Sequence, residues 1–341
     1  MSGLRDFAAR RLNALWYGSN PAYWLLWPLS LITRALVAVR RLAFRLGWKR
    51  SEDVGVPVVV VGNLTVGGTG KTPLTIWIAQ RLLDRGFRVG IVCRGYGGVA
   101  TDWPRLISES SDVETVGDEA KLLKGRTNCP VAAGPDRVAA AKMLLQSGPL
   151  DVILSDDGLQ HYWLRRAFEI AVVDGTRGLG NGLCLPAGPL REPPSRLREV
   201  DAVVVNQGDF GHAGVIRAEV KAIRMRELST GSEKLLADFE GQSVHGVAAI
   251  GNPGRFFDLL HRHGLVVKAH PLADHANLSA SDLTFGDDWP VLMTEKDAVK
   301  CGSLGLRNLW CVVMELEFAP GEGEKLERML MRVLERQPEN L

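Results

Sequence analysis

The chain has 341 residues, of which 46% are hydrophobic and 23% are charged, and its net charge is +2. These values are ordinary for a folded protein, and they exclude the strong positive charge expected of a nucleic-acid-binding protein. The five cysteines lie far apart with no CxxC spacing, which favours a reducing compartment and argues against a zinc site. The length fits one large α/β domain or two moderate ones.

The first 50 residues differ from the rest of the chain. They contain nine basic residues and one acid, a net charge of +8, so the other 291 residues carry −6. Leu12–Thr33 is an uncharged stretch of 22 residues, but Pro21 and Pro28 would break a lone membrane-spanning helix. The stretch also lacks the cleavage pattern of a secretory signal. We therefore predict neither a membrane span nor a signal peptide.

The same segment predicts an amphipathic helix. A Trp-rich part leads into residues 34–50, where apolar residues repeat at helical spacing between arginines. This composition is typical of a helix in a membrane interface, with aromatic side chains at headgroup depth and basic side chains facing anionic lipid. A helix packed on the protein's own core explains the pattern equally well. The sequence leaves both interpretations open.

After Gly55, short β-branched runs alternate with helical patterns, which predicts a mostly parallel sheet flanked by helices. Eight runs are predicted as strands: Val56–Val61, Val89–Cys93, Asp151–Ser155, Glu169–Val173, Ala202–Val205, Val244–Ile250, Val291–Thr294 and Leu309–Leu316. The Pro- and Gly-rich stretch Leu185–Pro194 is interpreted as a hinge between lobes. The predicted units are a membrane-associating segment (1–50), a nucleotide-binding core (51–190) and a smaller C-terminal α/β lobe (191–341).

The first predicted strand leads into a phosphate-binding loop. Gly62–Thr72 reads GNLTVGGTGKT, in which the glycines let backbone N–H groups point at phosphate oxygens and the lysine adds a positive charge. The residues predicted to bind the nucleotide are Thr65, Val66, Gly67, Gly68, Thr69, Gly70, Lys71 and Thr72. Thr65 stands where the P-loop pattern has its first glycine, so we expect the turn to depend on Gly67 and Gly68. The segment predicts a P-loop NTPase-like α/β fold that binds a nucleoside triphosphate.

Two aspartates end a later predicted strand. Asp156 and Asp157 follow the apolar run Leu150–Ser155, where a P-loop enzyme places the acid that holds Mg²⁺ directly or through water. Asp pairs are also common as turn residues, but downstream of a P-loop they indicate a metal site. With the hydroxyl of Thr72 they are the predicted Mg²⁺ ligands, and the sequence does not say which aspartate is closer to the metal.

The nucleotide base and the phosphate acceptor are indicated by separate patterns. The segment Asn206–Asp209 (NQGD) is close to the guanine-reading NKxD pattern, but Gln207 replaces the lysine, so ATP is the expected nucleotide. The candidates for a base that activates an acceptor are Asp118, Glu119, Asp156, Asp157, His161, Asp274 and His275. A helix N-cap role for Asp118 and a loop-surface position for His275 are the plain structural alternatives.

Seven motifs occur in an order that resembles the tetraacyldisaccharide 4'-kinase family, the lipid A kinases of Gram-negative bacteria. They are GNLTVGGTGKTP, RGYGG (Arg94–Gly98), VGDEA (Val116–Ala120), DDGLQH (Asp156–His161), LPAGPLREP (Leu185–Pro193), ADH (Ala273–His275) and TEKDAVK (Thr294–Lys300). The resemblance covers roughly residues 16–300, and that family also accepts Thr at the first P-loop position. It implies transfer of the ATP γ-phosphate to the 4'-hydroxyl of a tetraacylated glucosamine disaccharide 1-phosphate. It also implies a peripheral enzyme at the cytoplasmic face of the inner membrane, which we expect to be a monomer on an anionic lipid surface.

The resemblance further implies residue roles. Asp118 would take the acceptor proton, His275 would complete a dyad with it, and Asp274 would orient His275. Lys71 and Mg²⁺ would neutralise charge on the phosphates. Arg94 and Arg191 are each either a partner for the 1-phosphate of the substrate or a structural arginine. One alternative class is a membrane-associated NTPase switch, which does not account for the Asp118 and His275 segments together with the lipid-facing N-terminus. The other is a nucleotide-binding scaffold without catalysis, which the full set of carboxylates disfavours.

Overall fold

A mixed β-sheet of thirteen strands runs through the part of the chain that the structure, a computed structural model, describes: residues 11–18, 21–274, 276–301 and 304–335. In chain order the strands are β1 (Val58–Gly62), β2 (Val89–Cys93), β3 (Arg105–Ile107), β4 (Val131–Ala133), β5 (Val152–Asp156), β6 (Phe168–Asp174), β7 (Ala202–Asn206), β8 (Ile216–Glu227), β9 (Glu233–Leu235), β10 (Ser243–Ala248), β11 (Val266–Pro271), β12 (Val291–Thr294) and β13 (Leu309–Phe318). The described α-helices are α1 (Trp27–Arg45), α2 (Lys71–Asp84), α3 (Val113–Val116), α4 (Asp118–Arg126), α5 (Arg137–Ser147), α6 (Pro253–Arg262), α7 (Glu295–Cys301) and α8 (Glu322–Leu334). Residues 11–17 are also helical, and short 3₁₀ helices occupy Pro21–Leu25, Pro194–Arg198, Leu236–Phe239 and Ala280–Leu283.

The strand order is β11-β10-β12-β13-β8-β7-β6-β1-β5-β2-β4-β3, with β9 paired to β8. The described pairings are parallel except those of β8 with β13, β8 with β9 and β3 with β4. β1 lies between β5 and β6, and Val61 is in register with Asp156. Because parallel strands end at the same edge of a sheet, the loop after β1 and the acids after β5 meet at this edge.

Helices cover both faces of the strands around β1. On one face, α2, α4 and α8 contribute Leu74, Ala120 and Leu326 to a shared apolar cluster, whereas on the other face α5 contributes Leu144. Val58–Val61 is buried along its whole length, as an apolar parallel strand covered on both faces should be. The predicted α/β fold with a mostly parallel sheet and flanking helices is confirmed.

A long antiparallel pair links the two ends of the sheet. β8 and β13 pair from Glu227 opposite Trp310 to Ala218 opposite Phe318. Beyond β13 lie β12, β10 and β11, which pack with α6 and α7 as the smaller C-terminal α/β lobe. β7 follows residue 191 in the chain but lies beside β6, on the phosphate-loop side of the antiparallel pair. The unit boundaries near 50 and 190 and the hinge at 185–194 stay predictions.

The amphipathic N-terminal helix begins earlier than the sequence predicts. α1 starts at Trp27, and Pro28 lies in its first turn. Backbone N–H groups in the first turn have no partner within the helix, so the proline costs no helical hydrogen bond. Ser30 and Ala43 are buried against the protein, and Ser30 Oγ donates to the carbonyl of Cys184 at 2.6 Å. The opposite side of α1 is apolar and exposed. Among the helices described, none is long and apolar enough to cross a bilayer.

The eight predicted strands are all present, with ends that differ from the prediction by at most two residues. The sequence does not predict β3, β4, β8, β9 or β11. Of these, β3, β4 and β9 have three residues each, and most of β11 is exposed at the edge of the sheet. Short or exposed strands carry weak hydrophobic patterns, which is why they escape a prediction based on apolar runs.

Candidate active site

The phosphate loop connects β1 to α2. Gly67 has φ 103° and Gly70, the N-cap of α2, has φ 97°, a left-handed region that favours glycine. At Gly70 a side chain is also excluded by space, because a Cβ would lie 2.7 Å from Nδ2 of Asn206. The turn therefore depends on Gly67 and Gly70, and the expectation for Gly68 was wrong. Thr65 is not in the left-handed region, so its side chain is tolerated at the first position.

Asn206, at the end of β7, supports the phosphate loop. Its Nδ2 donates to the carbonyl of Thr69 at 3.0 Å, and its Oδ1 accepts from the backbone N–H of Val220 at 3.0 Å. Because both ends of this amide are engaged, Asn206 holds the loop against the sheet and does not present its amide to a nucleotide base. In the NQGD segment, the asparagine that is similar to that of a guanine-reading motif therefore has a structural role in supporting the phosphate loop.

The Pro-rich segment Leu185–Pro193 packs directly against the phosphate loop. The N–H of Val66 donates to the carbonyl of Pro189 at 2.9 Å, and the N–H of Arg191 donates to the carbonyl of Leu64 at 2.6 Å. Leu190 is fully buried. The backbone of the loop is thus held on one side by this segment and on the other by Asn206.

Asp156 lies at the end of β5, against the first turn of α2. Its carboxylate accepts from Thr72 Oγ1 at 3.2 Å and from Thr75 Oγ1 at 2.9 Å. Burial raises the pKa of Asp156 to about 6, and the negative charge of Glu119 adds to the shift. The ionised carboxylate is therefore costly at this position until a cation balances it.

Asp157 lies in a different environment. It has φ 50°, a left-handed conformation that Asp tolerates better than most residues. Lys71 Nζ lies 3.5 Å from its Oδ1, and Arg191 Nη1 lies 3.0 Å from the same oxygen. Burial opposes ionisation of Asp157, but these two cations outweigh it and hold its pKa below the ordinary value. The guanidinium of Arg191 is therefore paired with Asp157, beside the phosphate loop.

The predicted metal ligands divide between these two environments. Thr72 and Asp156 are in contact and offer hard oxygen donors, which fit Mg²⁺ because this ion binds few protein oxygens and keeps several waters. Asp157 instead pairs with cations. Across the described residues, no group of three or more His, Cys, Asp or Glu side chains could by itself hold a metal.

Asp118 is the first residue of α4 and is buried, with 4% of its surface exposed. Its Oδ1 accepts from the N–H of Glu119 at 2.8 Å. The preceding Gly117 has φ 88°, and a Cβ there would lie 2.3 Å from the carbonyl oxygen of Tyr96. The RGYGG and VGDEA motifs are therefore packed against each other, and this close contact fixes the start of α4.

Lys296 and Arg137 are two cations near these acids that the sequence reasoning did not single out. Lys296, on α7, forms an ion pair with Glu119. Arg137 is 1% exposed and donates to the carbonyl of Gly134, while its Nε and Nη2 have no hydrogen-bond partner among the residues described. Neither has a local sequence signal, apart from the place of Lys296 in the TEKDAVK motif.

His161 is surrounded by arginines. Burial lowers its pKa to about 4, and the positive charges of Arg137, Arg94 and Arg40 add to the shift. The imidazole is therefore neutral at physiological pH, so it does not add a positive charge to the site. The side chain of Arg94, the first residue of the RGYGG motif, is exposed.

Asp274 belongs to the loop after β11. Asp274 is exposed, and its Oδ2 lies 3.3 Å from the position that a Cβ of Gly251 would occupy. His275 lies outside the described residues. Two residues further on, Asn277 Nδ2 donates to Glu114, which precedes Asp118 by four positions. The dyad of His275 with Asp118 stays a prediction.

Comparison with known proteins identifies relatives along nearly the whole chain. The family described as "Tetraacyldisaccharide-1-P 4'-kinase" matches residues 22–335. Two proteins named "Tetraacyldisaccharide 4'-kinase" are similar: one from Nitrosococcus oceani is 47% identical, over 93% of this chain and 93% of its own, and one from Alkalilimnicola ehrlichii is 49% identical, over 92% and 97%. A crystal structure of LpxK from Aquifex aeolicus in complex with ATP superimposes with a TM-score of 0.80 at 27% identity, covering 92% of this chain and 99% of that one.

Proposed function

This chain belongs to the tetraacyldisaccharide 4'-kinase family, and we propose that its phosphate loop and buried acids transfer the γ-phosphate of ATP to the 4'-hydroxyl of an acylated glucosamine disaccharide 1-phosphate. Members of this family are ATP-dependent kinases of lipid A biosynthesis, and this chain is one of them. One observation supports these roles most strongly. Lys71, Thr72 and Asp156 lie together at one edge of the sheet, near Asp118 and Glu119 at the start of α4.

On the nucleotide side, charge neutralisation is the main requirement, because phosphoryl transfer passes through a loose transition state with charge spread over the phosphate oxygens. We assign Lys71 to the β and γ phosphates, with Asp157 holding its ammonium in place. Thr72 and Asp156 are the residues that would hold Mg²⁺. When bound, that ion supplies a positive charge to the phosphate oxygens and removes the cost of ionising the buried Asp156.

On the acceptor side, we assign Asp118 as the general base for the 4'-hydroxyl. Its burial and the fixed start of α4 support this role, since a base must be held within hydrogen-bond reach of the proton that it takes. The proposed partnership with His275, and the orienting role of Asp274, rest on the family pattern. Arg94, with its exposed side chain, is the proposed partner of the substrate's 1-phosphate.

The reaction is tested with γ-labelled ATP and a tetraacylated disaccharide 1-phosphate dispersed in detergent. We expect label in the lipid, and we expect this labelling to require added Mg²⁺ and to be abolished by a chelator. Label released only as free phosphate, with or without the lipid, would indicate an NTPase and contradict the proposal. Label in neither product would indicate a nucleotide-binding scaffold.

We also propose that α1 seats the enzyme peripherally on the cytoplasmic face of the inner membrane, where ATP and the lipid acceptor meet. One side of the helix is anchored to the protein through Ser30, Ala43 and an ion pair of Arg41 with Glu199. The other side exposes Leu29, Ile32, Leu36, Val39 and Leu46, each at least half exposed. A continuous apolar stripe beside arginines is a surface suited to an anionic lipid interface.

Replacing Leu36 and Val39 by serine should weaken binding to phosphatidylglycerol vesicles by at least about tenfold. Full burial of one such side chain contributes about 1.5–3 kcal/mol. Partial insertion of two such side chains is therefore expected to contribute more than the roughly 1.4 kcal/mol that corresponds to a tenfold change in affinity. Co-sedimentation with vesicles measures the effect. Leu235→Ser is the matched control, because Leu235 is 57% exposed on β9. Equal sedimentation of the double variant and the wild type would contradict the membrane role of α1.

A further inference from the structure

Lys296 reaches from the C-terminal lobe into the acids of the phosphate-loop side. Its Nζ forms an ion pair with Glu119 of α4, and one third of its side chain is exposed. The two residues are 177 positions apart in the chain. Burial disfavours the charged ammonium, but the carboxylates of Glu119, Asp118 and Asp156 outweigh burial and raise its pKa. Lys296 is therefore paired with Glu119, and the charges of Asp118 and Asp156 also favour its protonated form.

The backbone that carries Lys296 is fixed on both sides. The preceding Glu295 accepts from the N–H of Met314 at 3.0 Å and pairs with Arg126 at the end of α4. The following Asp297 is fully buried and accepts from the N–H of Ala249 at 3.1 Å. Because its two neighbours are anchored in this way, Lys296 is held toward Glu119 and has few other positions to adopt.

Glu119 needs such a partner. It is partly buried, with 29% of its side chain exposed, and its negative charge acts against that of Asp156. It also directly follows Asp118, whose Oδ1 accepts from its N–H. Without a counter-charge, Glu119 would repel both acids and move toward solvent or toward any cation bound at Asp156.

We propose that Lys296 is a positioning residue of the kinase: it fixes the place and the charge of Glu119, so that Asp118 and Asp156 keep their arrangement for phosphoryl transfer. The proposal rests on the proposed function, in which Asp118 faces the acceptor and Asp156 the metal. Lys296 itself touches neither substrate in this scheme. Its effect passes through Glu119, and that dependence can be measured.

The test is a double-mutant cycle of Lys296→Met and Glu119→Gln, with kcat, both KM values and the melting temperature measured for each variant. We expect Lys296→Met to lower kcat about 10–100-fold and to change KM for ATP less than threefold. The double variant should be no slower than the slower single variant, within about threefold, because a residue that acts through a partner has no effect once the partner is gone. Lys296→Arg, which keeps the charge, should recover at least half of the loss on a logarithmic scale.

Lys221→Met is the control, since Lys221 also forms a lysine–glutamate ion pair, with Glu317 between β8 and β13, at a more exposed position. It should change kcat less than threefold. Losses that multiply in the double variant would overturn the proposal, as would a kcat of Lys296→Met equal to that of the wild type, or a failure of Lys296→Arg to recover activity at an unchanged melting temperature. A wild type that labels no lipid contradicts the proposed function instead, so the two failures are distinguishable.

Discussion

Replacing Lys71 by alanine should lower kcat by about 10³-fold or more, equivalent to about 4 kcal/mol of transition-state stabilisation. Lys71 begins α2, directly after the left-handed Gly70, and its ammonium lies 3.5 Å from Asp157. The substitution removes the point charge assigned to the transferred phosphate and leaves Asp157 with Arg191 as its partner. Label transfer from ATP to the lipid acceptor measures kcat, and a titration with ATP measures KM.

The size of this effect separates a role in chemistry from a role in folding. Lys325→Ala is the control, because Lys325 forms an ion pair with Glu322 within α8 and has no assigned contact with the nucleotide, so it should retain full activity. Lys71→Arg should stay strongly impaired, since a planar guanidinium cannot replace a compact ammonium in the same space. A Lys71→Ala enzyme that folds and keeps kcat within tenfold of the wild type would remove Lys71 from the assigned role.

Asp118→Asn should lower kcat by about 10²–10⁴-fold, the usual contribution of a general base. The amide oxygen can still accept from the N–H of Glu119, so the start of α4 is preserved while the ability to take a proton is lost. KM for the lipid should change little, because the proton moves only in the transition state. Steady-state kinetics at saturating ATP and varied lipid concentration measure both quantities.

Asp112→Asn is the matched control for this prediction. Asp112 is exposed and caps α3, where its carboxylate accepts from the N–H of Thr115 at 3.0 Å. We expect kcat to stay within threefold of the wild type and the melting temperature to fall slightly. If Asp118→Asn were as active as this control, another group would have to take the acceptor proton.

The central part of the sheet was predictable because its strands are locally distinctive. Val58–Val61 is apolar at every position and buried on both faces, so the run itself identifies the strand. β8 is different: in Ile216–Glu227 apolar and charged residues alternate, and only one face is covered. Its alternation was a usable signal, but a search for continuous apolar runs passes over it. Among the described strands, β11 pairs with β10 alone, and it exposes most of its residues, so burial imposes little pattern on it.

The site was predictable where its residues are contiguous, as in the phosphate loop, and not where they meet through the fold. The choice between Gly68 and Gly70 depends on Asn206, which lies 137 positions from the carbonyl that it contacts and fills the space beside Gly70. The pairing of Lys296 with Glu119 likewise brings distant motifs together. No local pattern encodes such contacts, because the sheet order determines which loops become neighbours.

The segment Leu185–Pro193 limits where this protein can be modified for biophysical work. Its backbone accepts from Trp16 Nε1 at Pro186 and from the N–H of Val66 at Pro189, and Ser30 Oγ donates to the carbonyl of Cys184 just before it. A fluorophore, tag or protease site inserted there would disturb the N-terminal helices and the nucleotide pocket together. The turn at residues 229–232 between β8 and β9 is exposed along its length and is the better position for a probe.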